Sequence, residues 1–91
     1  MKSPDGRYRL VVDSHCDITE SGPISYGLQE YTLRVYEGGE LRLTRESCRA
    51  WNDGDSPQES GLCSWAFSAD SNRLLLYFFD GTTQEFVIGG S

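Results

Sequence analysis

Apolar residues recur in this chain at every second position, and that period most constrains what it can fold into. In Tyr8-Arg9-Leu10-Val11-Val12, the side chains of Tyr8, Leu10 and Val12 share one face. Tyr31, Leu33 and Val35 do the same, with Thr32 and Arg34 facing away, and Leu41 and Leu43 alternate with Glu40, Arg42 and Thr44. A helix would need spacings of three and four; a spacing of two marks a strand with one face on a core and one in water. Cys63, Trp65 and Phe67 alternate with Ser64, Ala66 and Ser68, and residues 74–79 form an unbroken apolar run. Such a run predicts a central strand covered on both faces. Residues 82–88 supply the last strand.

Turn residues set the expected register. Glu37-Gly38-Gly39 predicts a three-residue loop that pairs Val35 with Leu41 and Leu33 with Leu43, leaving Arg34 opposite Arg42. Asp80-Gly81 predicts a two-residue turn pairing Phe79 with Thr82, Leu75 with Phe86 and Leu74 with Val87. Residues 14–27, with Ser21-Gly22-Pro23 and Tyr26-Gly27, and residues 46–61, with Asn52-Asp53-Gly54-Asp55-Ser56-Pro57, predict two long connections. One helical turn is expected over residues 46–51, where Cys48 and Trp51 sit three apart. The expected fold is all-β: about six antiparallel strands in a meander, forming a small barrel or a two-sheet sandwich. A single domain spans residues 1–91, with 89–91 as a frayed tail.

Two segments share turn chemistry. Ser3-Pro4-Asp5-Gly6-Arg7-Tyr8, and more loosely Phe67-Ser68-Ala69-Asp70-Ser71-Asn72-Arg73-Leu74, resemble the strand-opening motif of β-propeller blades. The blade period of about 40 residues is not the spacing of these two matches, so the likeness is one of a tight polar turn feeding an apolar strand.

Charge narrows the function classes. The 91 residues hold 14 Asp and Glu against 8 Lys and Arg, a formal net charge of −6. No basic surplus exists to neutralise a phosphate backbone, which excludes direct nucleic-acid binding of the ordinary electrostatic kind. No apolar run approaches the roughly 18 residues of a membrane helix, and Met-Lys-Ser-Pro-Asp lacks a signal-peptide core, so the expectation is a cytoplasmic protein with no membrane partner. Cys16, Cys48 and Cys63 are an odd set at wide spacing, read as reduced thiols, with a Cys48–Cys63 disulfide as the alternative.

The acid is unevenly placed. Residues 10–33 hold Asp13, Asp17, Glu20 and Glu30, residues 50–72 hold Asp53, Asp55, Glu59 and Asp70, and neither window contains Lys or Arg. In a meander alternate connections share an end. Residues 14–27 and 46–61 would therefore crowd one pole with Asp17, Glu20, Tyr26, Trp51, Asp53, Asp55 and Glu59. His15, Cys16 and Cys48 would join them, with Asp13 and Asp80 nearby. This is the candidate binding site, with Trp51 and Tyr26 as apolar anchors for a basic protein surface.

Chemical readings are weaker. His15 and Cys16 are adjacent, so on a strand they face opposite ways and do not form a nucleophile–base pair. His15 with the three cysteines lacks the close ligand spacing of a zinc site, and Asp53, Asp55 and Glu59 lack the full calcium-loop pattern. No phosphate loop or nucleophile motif occurs, so no catalytic residue, metal or cofactor is expected. The resulting expectation is a non-enzymatic acidic binding module, such as an inhibitor or immunity-type protein that associates stoichiometrically with a basic protein. A small-ligand-binding β-barrel, an enzyme in that barrel, and a homodimerising structural domain are the alternatives.

Overall fold

The computed structural model describes residues 1–56 and 58–89, and for Ser21 the backbone alone. It contains six strands and no helix among the described residues: β1 (Tyr8–Ser21), β2 (Ile24–Glu37), β3 (Glu40–Asp53), β4 (Gln58–Phe67), β5 (Arg73–Phe78) and β6 (Thr83–Val87). Every strand is antiparallel to its neighbour, in the order β1-β2-β3-β4-β5-β6. The meander is therefore as expected. The sheet is not closed, since β1 and β6 do not pair among the described residues.

The two expected long connections are strands instead. Residues 14–21 extend β1, residues 24–30 extend β2, and residues 46–53, including the expected helical turn, extend β3. Ser21 pairs with Ile24 across a two-residue Gly22-Pro23 turn, with Gly22 at φ +63°. A positive φ followed by the fixed negative φ of proline is the sign pattern of a II′ hairpin turn, whose twist suits its strands. Three 14-residue strands thus form a long ribbon, and the molecule measures 51 × 25 × 17 Å. Its radius of gyration is 15.6 Å, against about 12 Å for a compact domain of this length.

Both hairpin registers differ from expectation. Glu37 pairs with Glu40 across a two-residue Gly38-Gly39 turn, both glycines having positive φ. A bulge then absorbs Arg42, so Val35 pairs with Leu43, and Leu41 lies beside Tyr36, 49% exposed. Arg34 faces Thr44 rather than Arg42. At the β5–β6 turn, the Gly81 N–H donates to the Phe78 carbonyl and the Phe78 N–H to the Thr82 carbonyl, with Gly81 at φ +89°. This is a three-residue loop, and it pairs Leu74 with Phe86 and Leu76 with Gln84. A one-residue slip exchanges the two faces of a strand. The observed register places Phe86 and Ile88 against the core and leaves Val87 outside.

Strand β4 turns the corner of the fold. Its first half, to Gly61, pairs with β3; its second half, from Leu62, pairs with β5. Gly61 has φ +93°, and a Cβ there would stand 2.2 Å from the Cys48 carbonyl oxygen. A bulge follows at Cys63. It turns Leu62 into the core and Cys63 outward, whereas strict alternation would group Cys63 with Trp65 and Phe67. A glycine kink with a bulge is how a strand passes from one layer to another. The bend folds β5 and β6 back over β1–β3. One core then joins Tyr8, Leu10, Tyr31, Leu33 and Val35 to Leu62, Leu74 and Leu76. Tyr31 meets Trp65 edge-on at 5.3 Å, Arg45 lies over Phe86, and Gly89 closes on the Tyr8 hydroxyl. Gly89 is thus packed, and residues 90–91 of the expected tail lie outside the described residues. Strand β5 is covered on one face only: Leu74 and Leu76 are buried, whereas Tyr77 on the other face is 37% exposed.

The two similar turns are built alike. Ser3 Oγ donates to Asp5 and accepts from the Tyr8 N–H, while Asp5 accepts from the Arg7 N–H; Ser68, Asp70, Asn72 and Arg73 repeat the set. Gly6 and Ser71 take the same left-handed position, and the buried Ser71 hydroxyl accepts the Asp5 N–H, locking the turns together. The Arg7 N–H and the Ser3 hydroxyl hold the Asp5 carboxyl below its usual value of 3.8. The Ser68 hydroxyl and the Asn72 N–H do so for Asp70, and Thr82 does so for Asp80. Because these groups bind protons more weakly folded than unfolded, their stabilisation is present above 3.8 and is lost as pH falls through the depressed values. An acid titration of the melting temperature should drop below that point, and Asp5→Asn with Asp70→Asn should flatten the drop. An unchanged profile would contradict the assignment.

Candidate functional site

The turn at Gly22-Pro23 and residues 54–56 lie side by side at one end of the ribbon, because Ser25 pairs with Asp53. This end projects past the cover formed by β5 and β6. Residues 14–31 contain Asp17, Glu20 and Glu30; residues 47–61 contain Asp53, Asp55 and Glu59; and the only basic residue in either is Arg49. Their net charge of −5 is most of the chain's −6. Arg49 is already engaged. It pairs with Glu59, which raises its pKa, and its guanidinium lies 5.3 Å from the Phe79 ring and 5.9 Å from that of Trp51. Glu20, Glu30, Asp53 and Asp55 make no ion pair among the described residues, and Asp17 meets only His15 at 3.2 Å.

Cross-strand pairing sorts the candidates onto two faces. Ile18, Gly27, Trp51 and Glu59 form one row across the four strands, and Glu20, Ser25 and Asp53 form the next on the same face. That face continues the core side of the ribbon. Asp17 and Tyr26 belong to the opposite face. Trp51 and Tyr26 therefore do not form one pair of anchors, as the loop reading had them. Trp51 lies flat on Gly27, where an added Cβ would stand 2.0 Å from the indole, so its ring fills the space a side chain would take. Tyr26 is 45% exposed. Ile18, missed as a loop residue, stands 63% exposed beside Gly27.

The remaining candidates lie halfway along the ribbon or beyond it. His15, Glu30 and Cys48 form one cross-strand row on the outer face, and Cys16 faces the other way. The turn holding Asp80 reaches only the level of Gly61, where the Phe79 N–H meets its carbonyl. Asp70 sits at the other end, in the turn beside Asp5. All three cysteines are exposed and unbridged, so Cys48 and Cys63 do not form the alternative disulfide. Among the described residues no three His, Cys, Asp or Glu side chains converge as a metal site would require, and no helix is long and apolar enough to cross a membrane. No protein-family model, curated protein or solved structure matches this chain.

Proposed function

We propose that the protein is an acidic, non-enzymatic binding module that associates stoichiometrically with a basic protein surface through the projecting end of its ribbon. The observation that carries this reading is the gathering of Asp17, Glu20, Asp53, Asp55 and Glu59 against the single cation Arg49 on that end, with Glu20, Asp53 and Asp55 solvent-facing and free of ion pairs among the described residues. A carboxylate cluster of one sign, displaced from the centre of mass, steers a cationic partner during encounter. Rim charges of this kind act mainly on the association rate and are screened by salt.

Association with a lysine-rich peptide at low ionic strength, followed by stopped flow, tests the reading. Asp53→Asn with Asp55→Asn should slow association several-fold and leave dissociation nearly unchanged. Glu59→Gln should have the smaller effect, because Glu59 is spent on Arg49. Absence of capture by the peptide at low salt would overturn the proposal.

A further inference from the structure

We infer that the outer edge of β1, from Val12 to Glu20, is a strand-addition site that takes an extended basic segment of the partner. The inference rests on the proposed basic partner and specifies how it is held. Hydrogen bonding at the near end of β1 fixes which backbone groups face outward. The Leu10 N–H donates to the Met1 carbonyl, the Ser3 N–H donates to the Tyr8 carbonyl, and the Met1 amino group reaches the Leu10 carbonyl at 3.3 Å. Tyr8 and Leu10 therefore point their main-chain groups away from β2. The β1–β2 register runs from Tyr8 to Ser21 without a bulge, so the alternation is preserved. Val12, Ser14, Cys16, Ile18 and Glu20 direct their N–H and C=O groups to the same side, and among the described residues nothing pairs with them.

Unpaired edges of this length invite another strand, and proteins blunt them with charged side chains, lysine above all, and with proline, bulges or short strands. Residues 11–21 contain no lysine, proline or bulge, and the charges that guard the edge are all of one sign. They carry Asp13, Asp17 and Glu20 and no Lys or Arg. Asp13 and Asp17 lie on the outer face, Asp13 already paired with Arg34, and Glu20 lies on the other face; a second copy would add the same net negative charge along this edge, which opposes pairing. An extended segment with alternate lysines or arginines on the outer face meets Asp17, and Asp13 beside Arg34, as complementary charge. Main-chain bonds would supply affinity and the alternating charges specificity, as in β-augmentation generally.

Amide hydrogen exchange read residue by residue tests this at low salt, with the chain alone, with a peptide alternating lysine and valine, and with one alternating glutamate and valine. In the free chain the amides of Val12, Ser14, Cys16, Ile18 and Glu20 should exchange fast. Those of Asp13, His15, Asp17 and Thr19, bonded to β2, should exchange slowly. The lysine peptide should slow the first set by at least about tenfold, and the glutamate peptide should not. Ile18→Lys, at a solvent-facing position the fold tolerates, should remove that protection, as should Ile18→Pro, which deletes an N–H that β2 does not use. Binding of the lysine peptide without this alternating protection would overturn the strand-addition site and leave the proposed function standing. No binding would overturn both. Equal protection by both peptides, or protection of the free chain that grows with its concentration, would overturn the basic occupant.

Discussion

Gly61→Ala should cost the fold about 3–5 kcal/mol, from a left-handed backbone that alanine resists and from forced overpacking. The new methyl would stand 2.2 Å from the backbone oxygen of Cys48, which cannot rotate away as a side chain could. Since β4 changes partners at this residue, the strain falls where the two layers join. A domain of this length has a total stability of about 5–14 kcal/mol, so the variant should lose a large share of it. Gly38→Ala is the control. It also has positive φ, +57°, but an added Cβ meets nothing within 4 Å, and the cost should be only about 1–2 kcal/mol. Urea unfolding of the two variants measures the difference; equal losses would show that Gly61 is not a corner.

Leu33→Ala should cost about 2–5 kcal/mol, the range for emptying a buried leucine site. Leu33 is fully buried in β2, between the buried Tyr31 and Val35 of the same face. Leu41→Ala should change stability by less than about 0.5 kcal/mol. The contrast reads the hairpin register directly. Had the Glu37-Gly38-Gly39 loop set Val35 against Leu41, the second leucine would be core and its loss severe. With the Arg42 bulge in place, Leu41 lies beside Tyr36 on the solvent side. A large loss at Leu41 in urea unfolding would contradict that register.

These leucines also show what was legible. Tyr8, Leu10, Tyr31, Leu33 and Val35 announced their strands because one face is buried and the other wet, and all five are in the core. Residues 14–21 and 46–53 are equally strands but read as loops, because the ribbon end has solvent on both faces and no apolar alternation records its pleat. Gly22-Pro23 read as a break in structure, whereas it occupies only the two central positions of a tight turn. Bulges hid the rest. Those at Arg42 and Cys63 each shift the alternation by one residue, so Leu41 and Cys63 changed sides relative to a strict period of two. The placement of the two turns at one end did not depend on these errors. Extending the strands moved the carboxylates along the ribbon but kept both turns at one end, since that placement depends only on the meander. The grouping of Trp51 with Tyr26 did not survive, because residues of opposite parity on paired strands face opposite ways.

Matched charge removal separates an acidic end that steers the partner from the effect of net charge alone. Glu20→Gln with Asp53→Asn, and Glu40→Gln with Glu85→Gln, remove the same two negative charges, the first pair at the projecting end and the second pair away from it. The rate of association with the lysine-rich peptide at low salt should fall several-fold for the first pair and stay near that of the unaltered chain for the second. Equal slowing by both pairs would mean that only net charge matters, and the localised site would be wrong.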